Sequence, residues 1–175
     1  MIPSMTLIEV AFELGTAFKE SNITAVLCGG SAATFYAPEA YQSRDLDFVL
    51  SMWTNEATVL EIIKGFGFSQ VGRTFASNQT PFTLDFPKGP LSVGEDPITS
   101  WNTVKKGTQE LQVIRPEDSV KDRLAAYFYW NDYPGLSQAV AVASTTIIDT
   151  KEIENWARRE GELEKFGDFI RRLNS

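Results

Sequence analysis

The spacing of apolar residues predicts helices and strands that alternate along the first half of the chain. Residues 6–20 carry apolar side chains at helical intervals, which indicates an amphipathic helix. The short apolar run Ile23–Cys28 is typical of a buried strand, and Leu46–Leu50 fits a second strand. A further helix is expected over residues 59–66, because apolar side chains recur there at the same interval and glycines follow.

The second half of the chain is predicted to begin with strands and to end with helices. Phe68–Phe75 and Phe82–Phe86 look like two strands around a polar turn at residues 77–79, and Gln109–Ile114 looks like the last strand. Residues 87–107 are rich in Pro, Gly, Ser and Thr, which indicates a loop with room for one short strand. The expected C-terminal helices begin at Pro116 and then cover Leu136–Ile147, Lys151–Glu160 and Leu163–Leu173.

This order of elements predicts an α+β fold, with a small mixed β-sheet flanked by helices and a helical C-terminal third. A length of 175 residues suits a single domain. Within it, residues up to about 115 would form the sheet-bearing core, and residues from about 116 onward would form helices packed on that core. No apolar run reaches the length of a membrane span, so we expect a cytoplasmic protein with no membrane partner.

Composition removes several kinds of chemistry. The chain contains no histidine, which excludes an imidazole general base and makes a zinc site implausible. The single cysteine, Cys28, excludes an internal disulfide and is expected to be a small buried apolar residue. A formal net charge of −7 argues against broad binding to nucleic acid, although it allows a local basic patch. Carboxylates and hydroxyls must therefore carry any reaction.

Three acids are expected to meet on one face of the sheet. Asp45 and Asp47 lie two residues apart on a predicted strand, so their side chains point to the same side. In the later strand the apolar residues alternate with Asp85, which places Asp85 on the face opposite its apolar neighbours. Carboxylates in such a cluster repel one another unless a cation neutralises them, and Mg²⁺ is a natural choice for oxygen ligands.

A second pattern, close to the first in the chain, suits a phosphate group. Gly29 and Gly30 follow the first strand and carry no Cβ, so a ligand can approach the main chain closely. A short helix is predicted to begin at Ser31, whose hydroxyl would cap it, and a helix N-terminus favours anions. Arg44, beside Asp45, could pair with phosphate or with a neighbouring acid.

The ordered set Gly29-Gly30-Ser31, Asp45-Leu46-Asp47 and Asp85 resembles the nucleotidyltransferase superfamily that includes DNA polymerase β. The resemblance implies transfer of a nucleoside monophosphate from an NTP substrate to an acceptor hydroxyl. Two Mg²⁺ ions would be held by Asp45, Asp47 and Asp85, and Gly30 and Ser31 would hold the β- and γ-phosphates. The acceptor could be a tRNA end, a protein hydroxyl or a small molecule.

Within that superfamily the chain resembles compact bacterial proteins similar to AbiEii-type toxins, which implies a possible cognate antitoxin. That subgroup often carries a Lys-Leu pair after the sheet, and Arg123-Leu124 stands in its place. Two interpretations of Arg123 stay open: a residue that binds the nucleotide, or an arginine whose stem covers apolar surface. The subgroup also carries a Lys-Asp pair, and Trp130-Asn131-Asp132 resembles only its end. Asp132 is expected to be a turn or capping residue.

Two alternatives to an active transferase are kept. The same fold could serve as a catalytically inactive module that binds a nucleotide or a partner protein. It could also be a structural interaction protein, in which the acids only decorate the surface.

Overall fold

The computed structural model describes residues 4–175, and in this part of the chain seven helices and nine strands are formed. The helices are α1 (Leu7–Glu20), α2 (Gly29–Tyr36), α3 (Glu56–Gly65), α4 (Pro116–Trp130), α5 (Tyr133–Thr145), α6 (Thr150–Arg159) and α7 (Leu163–Leu173). The strands are β1 (Ala25–Cys28), β2 (Asp45–Leu50), β3 (Phe68–Val71), β4 (Thr74–Ser77), β5 (Thr83–Asp85), β6 (Ser92–Val93), β7 (Asp96–Pro97), β8 (Asn102–Lys106) and β9 (Gln109–Val113).

Seven of the strands form one mixed sheet in the order β3-β4-β5-β2-β1-β9-β8, and β6 pairs only with β7. Strand β2 lies at the centre, antiparallel to β1 and parallel to β5. This architecture confirms the predicted α+β class, including the flanking helices and the helical C-terminal third. Each helix of residues 4–175 is too short or too polar to cross a lipid bilayer.

Helix α1 begins where the sequence predicts, because a capping box fixes its first turn. The Thr6 hydroxyl accepts a hydrogen bond from the Glu9 amide, and the Glu9 carboxylate accepts one from the Thr6 amide at 2.7 Å. The apolar face of this helix then packs on the sheet, where its side chains belong to the larger of two buried clusters.

The central strands alternate as expected between an apolar face and an acidic face. Leu46 and Phe48 of β2 and Leu84 of β5 are each 0% exposed, and they pack beneath the sheet with α1. The intervening residues of both strands point to the opposite face. The same alternation therefore builds the core and presents the acids.

Two predictions about strands were wrong. The segment Phe68–Phe75 is a hairpin, in which β3 and β4 are joined at Gly72, whose φ of +65° allows a tight turn. The segment 87–107 holds three strands, β6, β7 and β8, where one at most was expected. Strand β8 lies at an edge of the sheet and is mostly polar and exposed, so it carries no apolar alternation to reveal it.

The C-terminal helices gather around a second buried cluster, in which Trp156 is 0% exposed. This cluster also includes Ala33 of α2 and Val93 of β6. Helix α2 and the β6–β7 hairpin therefore lie between the sheet and the C-terminal helices. Asp47, on the acidic face of β2, lies near Val93 of this hairpin.

Candidate active site

Strand β1 passes directly into helix α2 at Gly29. Cys28 is the N-cap, and Gly29 is the first helical residue, with a φ of +58° that favours glycine. The prediction that the helix begins at Ser31 was wrong by two residues, because the glycine pair continues into the helix rather than forming a loop. Ser31 is consequently not a cap: its buried hydroxyl donates to the Cys28 carbonyl at 2.8 Å and accepts from the Asp47 amide at 3.1 Å.

The strand register brings the acids to one face. Asp47 and Asp85 are paired residues of the parallel strands β2 and β5, and Asp45 is paired with Thr83. Paired positions on neighbouring strands point to the same side and lie about 5 Å apart. Cys28 of β1 is paired with Asp47 on its other side, and the Cys28 thiol contacts the Asp47 carbonyl oxygen at 3.5 Å.

Burial and neighbouring negative charges both change the pKa values of side chains on this face. Burial raises the pKa of Asp47 to about 6, and the negative charges of Asp85 and Asp45 act in the same direction, while Arg123 acts in the opposite one. Burial also raises the pKa of the Cys28 thiol, so Cys28 is not an activated nucleophile.

Asp45 and Asp85 make local hydrogen bonds. The Thr83 hydroxyl donates to the Asp45 carboxylate, and Oδ1 of Asp85 accepts from the Phe86 amide at 2.9 Å. Across residues 4–175, no group of three or more Cys, Asp or Glu side chains stands in an arrangement that could hold a metal ion. The three acids share a face of the sheet, but their carboxylates do not converge on one point.

A cleft of about 290 Å³ opens along this face, and we call it the carboxylate cleft. Its lining includes Cys28, Gly29, Asp47, Lys88, Ile114 and Asp122. Of the residues predicted from the sequence, Gly29 and Asp47 line this cleft, whereas Gly30, Ser31, Arg44, Asp45, Asp85 and Arg123 do not. Gly30 is buried, and a Cβ there would lie 2.9 Å from the Tyr41 hydroxyl.

The two predicted arginines have different surroundings. Arg123 is partly buried and donates from Nε to Asp122 at 3.0 Å and from Nη1 to Gln138 at 3.2 Å. Its charge reaches Asp47, but its hydrogen bonds are already used on α4 and α5. Arg44 is exposed, and its side chain makes no ion pair within residues 4–175. Asp132 caps α5, as predicted, by accepting from the Gly135 amide.

Sequence reasoning missed Lys88, Asp122 and the partner of Thr83. Alternation sets Thr83 on the same face as Asp85, but its pairing with Asp45 requires knowledge of the register. Lys88 lies in a segment predicted as a plain loop, although a cation three residues after a strand acid was a usable signal. Asp122 precedes Arg123 and carries no motif of its own.

Comparison with known proteins gives matches in structure only. No protein-family model matches the sequence, and no curated protein matches it significantly. An antigenic nucleotidyltransferase-like protein from Paracoccidioides brasiliensis superposes with a TM-score of 0.62 at 12% identity, over 94% of this chain and 93% of that chain.

Two structures of the antibiotic-resistance factor ANT(2″)-Ia also match. Its solution structure gives a TM-score of 0.53 at 16% identity, over 90% of this chain and 93% of that chain. Its crystal structure in complex with adenylyl-2″-tobramycin gives 0.50 at 13% identity, over 95% and 97%. Nearly the whole length of each protein takes part in these superpositions. The chain therefore has the fold of the nucleotidyltransferase-like proteins.

Proposed function

We propose that this chain is a Mg²⁺-dependent nucleotidyltransferase that moves a nucleoside monophosphate from an NTP to an acceptor hydroxyl. The observation that carries the proposal is the register of β2 and β5, which pairs Asp47 with Asp85 and sets Asp45 on the same face. This face adjoins the first residue of α2, so the carboxylates lie beside a helix N-terminus, whose unpaired N–H groups and dipole favour anions. The likeness of the fold to nucleotidyltransferase-like proteins supports the same reaction.

The residues fit Mg²⁺ by their chemistry. Carboxylate oxygens are its preferred protein ligands, and a cation would offset the charge of Asp47, whose pKa is raised by burial and further by the neighbouring Asp85 and Asp45. To hold two ions, the carboxylates of Asp45, Asp47 and Asp85 would have to turn toward one another, and Asp45 would exchange its hydrogen bond with Thr83 for a metal contact. Bound Mg²⁺ would stabilise the negative charge that develops on the phosphate oxygens.

The remaining steps belong to the chain itself. The first backbone N–H groups of α2 have no partner within the helix, and that of Gly29, which lines the cleft, would donate to the β- and γ-phosphates, while the buried Gly30 and Ser31 would support this turn from behind. The Ser31 hydroxyl, which is engaged with Cys28 and Asp47, would hold this turn against β2. Asp85 would accept the proton of the acceptor hydroxyl as its oxygen bonds to the α-phosphorus and pyrophosphate leaves.

A small hydroxylated molecule is the acceptor class that we favour. The ANT(2″)-Ia crystal structure contains a nucleotidylated small molecule, adenylyl-2″-tobramycin. The net charge of −7 disfavours an extended nucleic-acid surface. A tRNA end and a protein hydroxyl, together with a toxin role and a cognate antitoxin, stay predictions from the sequence resemblance.

A nucleotide-binding module without transferase activity is the second candidate. The observation that favours it is the lack, within residues 4–175, of any acidic group arranged to hold a metal. The surroundings of Arg123 also favour this second candidate, because its guanidinium donates to Asp122 and Gln138 and not to a nucleotide. Tight binding of an NTP without turnover would support this module.

Labelling with α-³²P-NTPs tests the proposal. The purified chain is incubated with each NTP, Mg²⁺ or EDTA, and a panel of aminoglycosides, tRNA and protein acceptors. We expect label transfer that EDTA abolishes and that Asp45→Asn, Asp47→Asn and Asp85→Asn each reduce by at least about 100-fold. Glu61→Gln, on the exposed face of α3, is the matched control and should transfer normally. Equal labelling by wild type and the three variants would contradict the proposal.

A further inference from the structure

The carboxylate cleft contains one basic residue, Lys88, among the described residues that line it. Lys88 follows Asp85 by three residues and shares the cleft with Gly29 and Asp47. Its side chain is exposed and makes no hydrogen bond or ion pair within residues 4–175. A free cation therefore stands at the rim of a cleft whose other charged lining residues are acidic.

The segment that carries Lys88 is held against the central strand. A Cβ on Gly89 would lie 3.5 Å from the Leu50 carbonyl oxygen and 3.5 Å from Cγ1 of Val49, so the chain runs in contact with β2 here. Pro87 and Pro90 flank this stretch, and each has a fixed φ. The backbone of Lys88 is thereby placed beside the strand of Asp47, while its four-carbon side chain is free to turn into the cleft.

The other basic residues near the acids are less available to a ligand in the cleft. Arg123 uses its donors on Asp122 and Gln138, and Asp122 is the second acid of the lining. This ion pair offsets part of the charge of Asp122, and Arg123 itself does not line the cleft. Arg44 is free but does not line the cleft. Lys88 is thus the cation that an anionic ligand of the cleft would meet.

We propose that Lys88 binds the triphosphate chain of the nucleotide, an inference that rests on the proposed function. An ammonium group is a compact charge with three donors, which suits phosphate oxygens on a flexible chain. In this arrangement the triphosphate lies between two sources of positive potential, the start of α2 at Gly29 and the Lys88 side chain. Lys88 would therefore be the basic partner of the phosphates, a role for which the sequence offered Arg123 and Arg44 only as candidates.

Isothermal titration calorimetry with ATP and with AMP, both in the presence of Mg²⁺, tests this role. We expect Lys88→Gln to weaken ATP binding about tenfold and to leave AMP binding within about twofold, because one charge-assisted contact to the longer phosphate chain is lost. Lys88→Arg should restore most of the ATP affinity. Lys64→Gln, at an exposed lysine of α3 that does not line the cleft, removes the same charge elsewhere and should leave both affinities unchanged.

The outcomes separate this inference from the proposed function. If wild type and Lys88→Gln bind ATP equally while Asp47→Asn weakens it, Lys88 has no role and the proposed function stands. If Lys88→Gln weakens ATP and AMP by the same factor, the phosphate assignment is overturned. If wild type binds neither nucleotide at millimolar concentration, both proposals fail.

Discussion

Gly29 and Asp47 approach each other so closely that a Cβ on Gly29 would lie 2.6 Å from Oδ2 of Asp47. Gly29 also has a φ of +58°, which side chains disfavour. Two separate physical requirements for glycine thus coincide at the point where β1 becomes α2. The positive φ and the close carboxylate both require a residue without a Cβ at this position.

Replacement of Gly29 by alanine should therefore cost more than backbone strain alone. Gly107→Ala is the matched control, because Gly107 has a φ of +62° and a methyl group there would meet no heavy atom within 4 Å. We expect a loss of about 1 kcal/mol for Gly107→Ala and about 2–3 kcal/mol for Gly29→Ala, measured by urea denaturation. Equal losses would show that the contact with Asp47 carries no energy.

Asp47→Asn should stabilise the protein in a pH-dependent manner. The pKa of Asp47 is raised to about 6 by burial and by Asp85 and Asp45, so the folded chain binds the proton more tightly than the unfolded chain. Stability from this group is therefore present at low pH and is lost as pH rises from about 4 to 6. At pH 7 the variant should be more stable by about 2 kcal/mol, a value reduced for the partial exposure of the side chain.

Urea denaturation of wild type and Asp47→Asn at pH 4 and pH 7 checks this expectation. The difference in unfolding free energy should be near zero at the lower pH and should favour the variant at the higher pH. Glu61→Gln on exposed α3 should show no such trend. A variant that is less stable than wild type at pH 7 would contradict the electrostatic account of the site.

Ser31→Ala should loosen the connection between α2 and β2. The Ser31 hydroxyl is buried and joins the Cys28 carbonyl to the Asp47 amide, so its removal leaves that amide without an acceptor. We expect a loss of about 1–3 kcal/mol in unfolding free energy. Ser51→Ala, at an exposed position where the hydroxyl contacts only Thr54, is the control and should cost much less. Similar losses for the two variants would contradict the bridging role.

Glu152→Gln should destabilise the helical part of the protein above pH 4.5. Glu152 on α6 accepts from Arg115 at 2.6 Å and from the buried Lys121 at 2.7 Å. The hydrogen bond from Arg115 is the largest influence that lowers the pKa of Glu152, to about 2. Since the ionised form is favoured in the folded chain, its contribution is complete above the ordinary pKa near 4.5 and is lost as pH falls toward 2.

Thermal unfolding between pH 2 and pH 7 measures this effect. The variant should be less stable than wild type by about 2–3 kcal/mol at pH 7, because Lys121 loses its closest partner in a buried setting. The gap should close as the pH approaches 2. Lys151→Gln, which breaks an exposed pair with Glu154, should change stability by less than about 0.5 kcal/mol. A gap that is independent of pH would contradict the assigned charge state.

The sequence pattern predicted the fold class and the common face of the acids, because both depend on local periodicity. Alternation gave the face of each acid on its own strand, and the pairing of β2 with β5, which the structure supplies, brings Asp85 beside Asp45 and Asp47. The hairpin of β3 and β4 was missed because strand-like residues continue on both sides of Gly72, and this single glycine was not taken as a turn. Strand β8 was missed because an exposed edge strand has no apolar face to reveal it.

The part of the site that escaped prediction depends on contacts between distant segments. The Ser31 hydroxyl bonds to the Cys28 carbonyl and the Asp47 amide, which no local pattern indicates. Arg123 is occupied by Asp122 and Gln138, and the second of these partners lies on another helix. Lys88 lines the cleft because its segment packs along β2, a contact fixed only by tertiary structure.

The alternation in β2 and β5 also determines which alignments the two strands can adopt. A shift of β5 by one residue would turn Leu84 outward and drive Asp85 into the apolar layer beside Leu46. The carboxylates thus disfavour a shifted register, because a shift would bury a charge in the apolar layer. Replacement of Asp47 and Asp85 by apolar residues would therefore remove this constraint on the register along with the two charges, and the strands could then pair in more than one alignment.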